Sequence, residues 1–375
     1  MKIAIEGQRL FRPKKHGMDF VALELIRNLQ KIDKENEYFI FVKPDSDKCL
    51  QDSENFRIIE LPGKSYPYWE QIALPKAVKK YGCELLHCTS NTAPVRNSSR
   101  LIVHVHDIIY LESVSLFKKG GTLYQKFGNL YRRWNVPKVI RAAEKVITVS
   151  EFEKTTIVNR FPRYENKIEA VYNGVSEHFK PVTDTTELIR IRKKYDLPEK
   201  FIFYLGNTDP KKNTPNTLKA YSFYRNAEPN PAPLVMIDFG MENLTRILKE
   251  NGTPGLIEHI YLSGYIDNKD LPAIYSMCSL FLYPSLRESF GIPLLEGMRC
   301  GVPVITSNTS CMPEVAKDGA YYIDPFSAKE MAKAMVAVMN KPDLRNSLIR
   351  KGFARSAEFS WTNMAKQVLE LYQNG

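Results

Sequence analysis

The stretch Tyr283-Pro-Ser-Leu-Arg-Glu-Ser-Phe-Gly-Ile-Pro-Leu-Leu-Glu296 carries the pattern that decides the fold. It predicts a buried strand that ends at Tyr283, a polar loop around Glu288, and a helix that starts near Pro293, because proline favours the first helical turn. Apolar strands that lead through polar loops into helices build parallel sheets with helices on both faces. The stretch therefore indicates a doubly wound α/β sheet.

The loop in this stretch also has the features of a site for an anion and for sugar hydroxyls. Gly291 lets a backbone approach a ligand closely, and the amides of Phe290 to Ile292 are expected to point outward from the positive end of a helix. Glu288 lies before the helix and Glu296 in its first turns, so the two carboxylates can accept hydrogen bonds from different parts of one ligand. The alternative interpretation is a plain helix whose acidic residues favour its N-terminus.

The alternation of strand and helix recurs along the chain. Residues 2–7 and 201–206 read as apolar strands that end in glycine, and helices are predicted over residues 17–31 and from about residue 214. Because 375 residues exceed what one core usually organises, we expect two such domains, facing each other across a cleft that holds the ligand. The other predicted strands are residues 38–42, 56–60, 85–88, 101–106, 146–149, 234–238, 259–262, 280–283, 302–306 and 321–323.

Composition and cysteine usage are typical of a globular protein of the cytosol. No apolar run reaches the length of a membrane span, and residues 1–7 read as a first strand and not as a secretory signal. The six cysteines contain no Cys-x-x-Cys pair. We expect them to be reduced and mostly buried thiols, because disulfides are rare in the cytosol.

Positive charge is concentrated in one stretch of this chain, whose net charge is +11. Residues 113–143 contain no Asp or Glu, and their basic and aromatic residues interleave as they do on proteins that lie on anionic membranes. The alternative is a solvated helix with its aromatic residues in the core. No nucleic-acid-binding motif accompanies the charge. The basic and aromatic residues between positions 118 and 141 that define this stretch are Lys118, Lys119, Tyr124, Lys126, Phe127, Tyr131, Arg132, Arg133, Trp134, Lys138 and Arg141.

Several segments, taken together and in order, resemble family 4 retaining glycosyltransferases, which have the GT-B fold of two Rossmann-like domains. Residues 283–296 resemble the Glu-x7-Glu signature of that family, and residues 206–213 resemble its glycine loop with a phosphate-binding lysine. The remaining similar segments are residues 148–152, 172–175, 264–266, 301–305, 313–316 and 359–361.

The resemblance implies how the chain divides. Residues 1–178 would form an N-terminal acceptor-binding domain, and residues 179–359 a domain that binds the nucleotide sugar. The C-terminal helix, at about residues 360–375, would cross back to the first domain. Residues 173–175 and the polar stretch 180–187 are the predicted linker.

The resemblance also implies roles for residues of a donor site. Glu296 is expected to hold the ribose hydroxyls, Glu288 the hydroxyls of the transferred sugar, and Lys212 the diphosphate, whose growing negative charge it would stabilise. No divalent metal is then expected, and the chain has no Asp-x-Asp motif in the places where a metal-dependent transferase needs one. The other implied donor-binding residues are Gly17, Gly206, Asn207, Lys211, Tyr265, Ile266, Ser289, Phe290, Gly291 and Ile292.

One position departs from the family pattern. Many members carry Arg where this chain has Asn207, so the Arg/Lys pair on the phosphates is incomplete, and Lys211 is the candidate to compensate. The loop Pro210-Lys-Lys-Asn213 resembles that of a subgroup in which several members transfer mannose. This similarity favours mannose as the sugar.

Two histidines lie near the end of a predicted strand in the first half. His104 and His106 share a face and could suggest a metal site, but no third histidine lies close in sequence. We interpret His104 as a structural residue satisfied by the backbone. In the family a histidine at this strand end reaches the transferred sugar, so His106 is a candidate catalytic residue beside Glu288 and Lys212. Asp107 could orient His106 or cap the next element.

The implied reaction moves a hexose from a nucleotide diphosphate sugar to a hydroxyl of a glycan or lipid-linked glycan, with retention, in polysaccharide or lipopolysaccharide biosynthesis. The separately placed carboxylates do not resemble the close pair of retaining glycosidases, so a same-face mechanism is favoured. Two alternatives remain: a nucleotide-sugar 2-epimerase of the same fold, and a non-catalytic protein that binds a nucleotide or glycan.

Overall fold

The computed structural model describes residues 1–112, 123–237 and 239–373 of a chain that divides into two compact units. Unit 1 comprises Met1–Gly174 together with Trp361–Gly375, and unit 2 comprises Val175–Ser360. The division thus falls inside the expected linker segment 173–175, four residues before the boundary that the sequence suggested after residue 178. The polar stretch 180–187 contains the first turn of a helix that begins at Thr185.

Unit 1 is built on a sheet of seven parallel strands in the order β3-β2-β1-β4-β5-β6-β7. The predicted strands all occur, but β5 ends at His104 and not at His106, and β7 was not predicted because only one of its three residues is buried. The strands are β1 (Lys2–Glu6), β2 (Glu37–Val42), β3 (Phe56–Glu60), β4 (Leu85–Cys88), β5 (Arg100–His104), β6 (Lys145–Thr148) and β7 (Ile168–Ala170).

The helices of unit 1 include the last helix of the chain. That helix packs against the first one, where the Thr362 hydroxyl donates to Asn28 Oδ1 at 2.8 Å. The helices are α1 (Gly17–Ile32), α2 (Tyr66–Tyr68), α3 (Leu74–Lys80), α4 (Ile109–Glu112), α5 (Leu123–Ala142), α6 (Glu151–Arg160) and, in chain order the fifteenth, α15 (Trp361–Gln373); a π-helical turn (Trp69–Ala73) joins α2 to α3.

Unit 2 is built on a sheet of six parallel strands in the order β10-β9-β8-β11-β12-β13. Four of its six strands are shorter than predicted and two have the predicted bounds, 280–283 and 321–323. Asp238, the expected end of one strand, lies outside the described residues. They are β8 (Ile202–Tyr204), β9 (Leu234–Met236), β10 (Ile260–Leu262), β11 (Leu280–Tyr283), β12 (Val304–Ser307) and β13 (Tyr321–Ile323). The helices are α7 (Thr185–Lys194), α8 (Thr214–Ala227), α9 (Met241–Glu250), α10 (Leu271–Met277), α11 (Ile292–Arg299), α12 (Met312–Ala316), α13 (Ala328–Asn340) and α14 (Pro342–Ala357).

The strand order of unit 2 determines where a ligand can bind. The chain moves outward from β8 through β9 to β10, then restarts beside β8 with β11, and Phe281 pairs with Phe203 across this junction. The loops that follow β8 and β11 therefore leave the same edge of the sheet side by side and turn to opposite faces. Such a switch point is where doubly wound sheets bind their ligands. The two parallel, doubly wound sheets and the return of α15 to unit 1 confirm the predicted fold class.

The tie between α15 and the sheet of unit 1 gives a stability prediction. The buried Tyr372 hydroxyl lies 2.6 Å from Nδ1 of His87, which is buried in β4. Tyr372→Phe leaves that ring nitrogen without its partner, so the free energy of unfolding should fall by about 1–3 kcal/mol in a urea titration. Tyr68→Phe is the control, because Tyr68 is exposed and its hydroxyl makes no hydrogen bond to any residue that the structure describes. Equal stability of the two variants would contradict the assigned role of the Tyr372 hydroxyl.

Candidate functional site

The loops after β8 and β11 bring together two charged side chains that the sequence had singled out. Lys212 Nζ lies 2.6 Å from Glu288 Oε1, and both side chains are largely buried. The same ammonium donates to the Tyr283 hydroxyl at 3.2 Å and lies 4.9 Å from the centre of the Tyr283 ring. A lysine, a carboxylate and a tyrosine thus meet at the switch point of the unit 2 sheet.

Two lysines of the β8 loop, Lys211 and Lys212, keep the carboxyl of Glu288 ionised. Burial raises the pKa of its carboxyl, but the positive charges of Lys212 and Lys211, together with hydrogen bonds from Lys212 and Ser285, outweigh burial and hold the pKa below the usual value. Glu288 is therefore an anion at neutral pH, and it can accept hydrogen bonds from hydroxyl groups of a ligand.

The position of Lys212 depends on an unusual backbone turn at Asn213. Asn213 has φ 61°, in the left-handed region that Asn tolerates better than most residues, and it is the residue before α8. Its side-chain amide donates to the carbonyls of Pro284 at 3.2 Å and Pro325 at 2.7 Å. One buried asparagine thereby connects the loops after β8, β11 and β13.

The glycine at the start of the β8 loop is required by its neighbour. A Cβ atom on Gly206 would lie 2.2 Å from the ring of Tyr204, which is closer than two atoms can approach. The Tyr204 hydroxyl in turn donates to the backbone carbonyl of Lys212 at 2.7 Å. Leu286 of the β11 loop donates its amide to the carbonyl of Lys211 at 2.7 Å, so backbone contacts hold the two loops in register.

The second carboxylate of the signature lies on helix α11. Gly291 has φ 82° and precedes the helix, which carries Glu296 in its second turn. The Tyr275 hydroxyl donates to Glu296 Oε2 at 3.3 Å. Burial raises the pKa of Glu296 to about 7, so this carboxyl is close to half protonated at neutral pH, unlike Glu288. Two glutamates eight positions apart therefore differ in charge because their surroundings differ.

Residues that sequence reasoning missed complete this arrangement. The Ser310 hydroxyl, on the loop after β12, accepts the backbone amide of Glu288 at 3.1 Å and donates to its carbonyl at 2.7 Å. Tyr283 was noted as the end of a strand and Tyr275 was not noted. Aromatic residues within buried strands and helices look like core residues in a sequence, and nothing in the spacing marks their hydroxyls.

The other predicted donor-site residues are distributed as follows. Asn207 is exposed and its side-chain oxygen accepts the amide of Asp209 at 2.8 Å, which closes the turn of the β8 loop. Tyr265 is 66% exposed after β10, whereas its neighbour Ile266 is buried. Gly17 lies in unit 1 at the start of α1, and no described atom would meet a Cβ there within 4 Å. Ser289, Phe290 and Ile292 lie on either side of Gly291, at the start of α11.

The histidines of unit 1 require a correction. His104 is not satisfied by the backbone: its Nδ1 lies 2.8 Å from Nε2 of His87, whose Nδ1 in turn contacts the Tyr372 hydroxyl. Its Nε2 is buried and has no hydrogen-bond partner among the described residues. His106 Nε2 lies 2.9 Å from the carbonyl oxygen of Thr89. Burial lowers the pKa of all three imidazoles, that of His87 to about 3, so they are neutral at physiological pH.

The contacts among the three histidine rings could not be predicted from sequence spacing. His87 lies in β4 and pairs with Ile102 of β5, so its ring meets His104 only because the two strands are neighbours in the sheet. The described residues contain no group of three His, Cys, Asp or Glu side chains arranged to hold a metal ion.

Comparison with known families identifies the class of this protein. The model described as Glycosyltransferase Family 4 matches residues 16–179, and the model described as Glycosyl transferases group 1 matches residues 186–355. The two matches follow one another along unit 1 and unit 2. The chain belongs to the group 1 glycosyltransferases, family 4.

Individual proteins of known activity are also similar in sequence to this chain. The O-antigen chain mannosyltransferase B of Escherichia coli is 28% identical over 247 residues, which are 65% of this chain and 64% of that protein. The serotype-specific mannosyltransferase WbdA of Escherichia coli is 29% identical over 231 residues, which are 61% of this chain and 28% of WbdA. The matches thus span less than two thirds of each relative.

Solved structures share the fold over the whole chain. Sucrose-phosphate synthase from Thermosynechococcus elongatus has a TM-score of 0.75 at 19% identity, and covers 100% of this chain and 98% of that one. Anabaena HepE, solved in complex with UDP-glucose, has a TM-score of 0.75 at 17% identity, with 100% of both chains covered. At such low identity the similarity establishes the GT-B fold.

The raised pKa of Glu296 gives a pH prediction. Between about pH 4.5 and about pH 7 the folded chain keeps a proton on this carboxyl that the unfolded chain has lost, so Glu296 contributes less to stability as the pH rises. Glu296→Gln removes this loss. The stability of the variant relative to the wild type should grow by on the order of 2 kcal/mol between about pH 5 and about pH 8 in urea titrations.

The control for this prediction is Glu258→Gln, which replaces an exposed carboxyl in the same unit. Its stability relative to the wild type should change little over the same pH range. A parallel response of the two variants would show that burial of Glu296 does not control its ionisation.

Proposed function

We propose that this chain transfers a hexose from a nucleotide diphosphate sugar to a hydroxyl of a glycan or lipid-linked glycan, with retention at the anomeric carbon. The observation that carries this proposal is the meeting of Lys212 and Glu288 at the switch point of the unit 2 sheet. A cation for a diphosphate and an ionised carboxylate for sugar hydroxyls lie side by side in the place where such sheets bind ligands.

Each charged group has a distinct role in this proposal. Lys212 binds the diphosphate, Glu288 accepts hydrogen bonds from hydroxyls of the transferred sugar, and Glu296 accepts them from the ribose. Lys211 lies beside the phosphates and supplies the second positive charge that Asn207 does not provide. The start of α11, from Ser289 to Ile292, faces the sugar and the distal phosphate, with Gly206 and the nucleobase contacts of Tyr265 and Ile266 completing the donor site.

The reaction proceeds on one face of the sugar. The bond between the anomeric carbon and the distal phosphate oxygen breaks, and the acceptor oxygen bonds to the anomeric carbon from the same side. The leaving phosphate takes the proton of the acceptor hydroxyl. Lys212 stabilises the charge that grows on the diphosphate, so no divalent metal is required.

Unit 1 supplies the remaining groups. His106, which is neutral and held by the Thr89 carbonyl, contacts the sugar near the reaction centre. Gly17 allows the backbone before α1 to approach the donor phosphates. The acceptor binds against unit 1.

Mannose is the proposed sugar, and its support comes from the relatives. Both E. coli proteins compared above are mannosyltransferases, and one of them is an O-antigen chain enzyme. HepE, by contrast, was solved with UDP-glucose. The proposal therefore places the chain in polysaccharide or lipopolysaccharide biosynthesis, with GDP-mannose as the first donor to test and UDP-glucose as the second.

Ligand stabilisation tests the donor site directly. We expect one nucleotide series among GDP, UDP, ADP and their common sugar conjugates to raise the melting temperature of the wild type. At about a hundred times the Kd, the ligand should add roughly 2.7 kcal/mol of stability. Glu296→Ala should lose most of this effect, because the ribose hydroxyls lose their acceptor, whereas Glu258→Ala should keep it.

Two results would change the assignment. If no nucleotide stabilises the wild type, the donor site is not functional and the chain is a non-catalytic member of its family. If a new nucleotide sugar forms without release of free nucleotide, the chain is a 2-epimerase and needs no acceptor.

A basic and aromatic surface on α5 gives unit 1 a second proposed contact, with the inner face of the cytoplasmic membrane. Phe127, Leu130 and Trp134 follow one another at helical spacing and are 59%, 56% and 47% exposed. Lys138 Nζ lies 3.8 Å from the centre of the Trp134 ring. Exposed apolar side chains beside cations suit the surface of an anionic bilayer. Lys118 and Lys119 of the same stretch lie outside the described residues, and no described helix is both long and apolar enough to cross a membrane.

Vesicle binding tests this surface. Arg132→Glu combined with Arg133→Glu should weaken sedimentation with vesicles that contain phosphatidylserine, because each cation near such a surface contributes about 1 kcal/mol. Vesicles of phosphatidylcholine are the control, and the variant should bind them no less than the wild type does. Unchanged binding to the anionic vesicles would remove the membrane contact and leave the transferase proposal intact.

A further inference from the structure

The hydroxyl of Ser310 binds both backbone polar groups of Glu288. Ser310 Oγ accepts the amide of Glu288 at 3.1 Å and donates to the carbonyl of the same residue at 2.7 Å. Cys311 Sγ lies 3.2 Å from that carbonyl oxygen, and Arg287 Nη1 lies 3.3 Å from it. Both peptide groups that flank the Glu288 side chain are therefore fixed by the loop after β12.

Two neighbouring hydroxyls each make one hydrogen bond to a backbone carbonyl of the loop after β11. Ser307 Oγ donates to the carbonyl of Ser285 at 2.6 Å, and Thr309 Oγ1 donates to that of Leu286 at 3.3 Å. These two contacts attach the loop to the sheet. Ser310 differs from both because it binds two backbone groups of one residue, and that residue carries the carboxylate that meets Lys212.

The backbone of Ser310 adopts a conformation that is unfavourable for a residue with a side chain. Its φ is 58°, in the left-handed region, which costs a residue with a Cβ atom about 1 kcal/mol or more. Glycine adopts this conformation without the penalty. If the position served only to turn the chain from β12 into α12, glycine would be the better residue, but glycine has no hydroxyl to hold Glu288.

We propose that Ser310 is a positioning residue, whose hydroxyl fixes the backbone of Glu288 so that the carboxylate meets both Lys212 and the transferred sugar. This inference rests on the proposed function. The positive charge of Lys212 attracts the carboxylate of Glu288. If the loop were free to rotate at Glu288, the carboxylate would move with the lysine. With the backbone fixed on both sides, the carboxylate stays in place when Lys212 turns to a diphosphate.

Two substitutions separate the hydroxyl from the backbone strain. Ser310→Gly removes the hydroxyl and relieves the left-handed penalty, whereas Ser310→Ala removes the hydroxyl and keeps the penalty. Both should lower kcat with GDP-mannose, or with whichever nucleotide sugar stabilises the wild type, by up to about 100-fold, because small displacements of a sugar-binding group cost that much. Both should bind the free nucleoside diphosphate as the wild type does, since Lys212 and Glu296 remain.

Thr309→Ala is the matched control, because it removes a hydroxyl from the adjacent residue that holds the same loop at Leu286. Its kcat and its nucleotide affinity should stay within about twofold of the wild type. A double-mutant cycle shows whether Ser310 acts through Glu288. Ser310→Gly should weaken nucleotide-sugar affinity in the wild-type background and should cause no further loss of that affinity in a Glu288→Ala background.

The outcomes are distinguishable. Three results would each overturn the positioning role and leave the transferase proposal standing. The first is wild-type kcat in both Ser310 variants, and the second is a loss of free-nucleotide affinity as large as the loss of nucleotide-sugar affinity. The third is that Ser310→Gly weakens nucleotide-sugar affinity as much in the Glu288→Ala background as in the wild type. If the wild type binds no nucleotide sugar, the proposed function fails, and hydrogen exchange decides the positioning role. The Glu288 amide should then exchange faster in Ser310→Gly and Ser310→Ala but not in Thr309→Ala, and equal protection in all three would overturn it.

Discussion

The ion pair between Lys212 and Glu288 is the contact on which the candidate site depends. A carboxylate as buried as that of Glu288 is costly unless a cation accompanies it, and the pair meets that need without any ligand. Neither partner could reach the other from elsewhere in the fold. The two loops are adjacent because β8 and β11 are neighbours in the sheet. The strand order therefore brings the two opposite charges together.

Three residues with positive φ surround this contact. Asn213, Gly291 and Ser310 have φ values of 61°, 82° and 58°, and each stands at the end of a loop that follows a strand of the unit 2 sheet. Backbone strain of this kind persists only where the surroundings hold it, and it gathers at sites that bind ligands. At Asn213 and Ser310 the strain is offset by hydrogen bonds to carbonyls of other loops. The loops at this edge of the sheet are thus hydrogen-bonded to one another.

The sequence predicted most strands because strands depend on local pattern. The switch point was not predicted, because it depends on which strands become neighbours in the sheet. Apolar runs such as that before Tyr283 mark strands, and Gly291 and Pro293 mark the start of a helix. The resemblance named Lys212 and Glu288 separately as donor-site residues, but their ion pair was not predicted, because the two residues lie 76 positions apart and meet only across neighbouring strands. The hydroxyls of Ser310 and Tyr275 could not be predicted, because a serine after one strand and a tyrosine in a helix meet Glu288 and Glu296 only in three dimensions. The contact between His87 and His104 was missed for the same reason, since β4 and β5 bring together residues from two separate segments.

The return of the last helix to unit 1 has a consequence for the order in which the protein forms. A ribosome releases all of unit 2 before the residues of α15, so unit 2 can fold while unit 1 still lacks one of its helices. Until then His87 has no tyrosine beside it, and the face of α1 that meets α15 stays open to water. The unit made first is therefore the unit finished last. A nascent chain stalled short of Trp361 would present a complete unit 2 joined to an unfinished unit 1, whose open apolar face is the kind of surface that chaperones recognise.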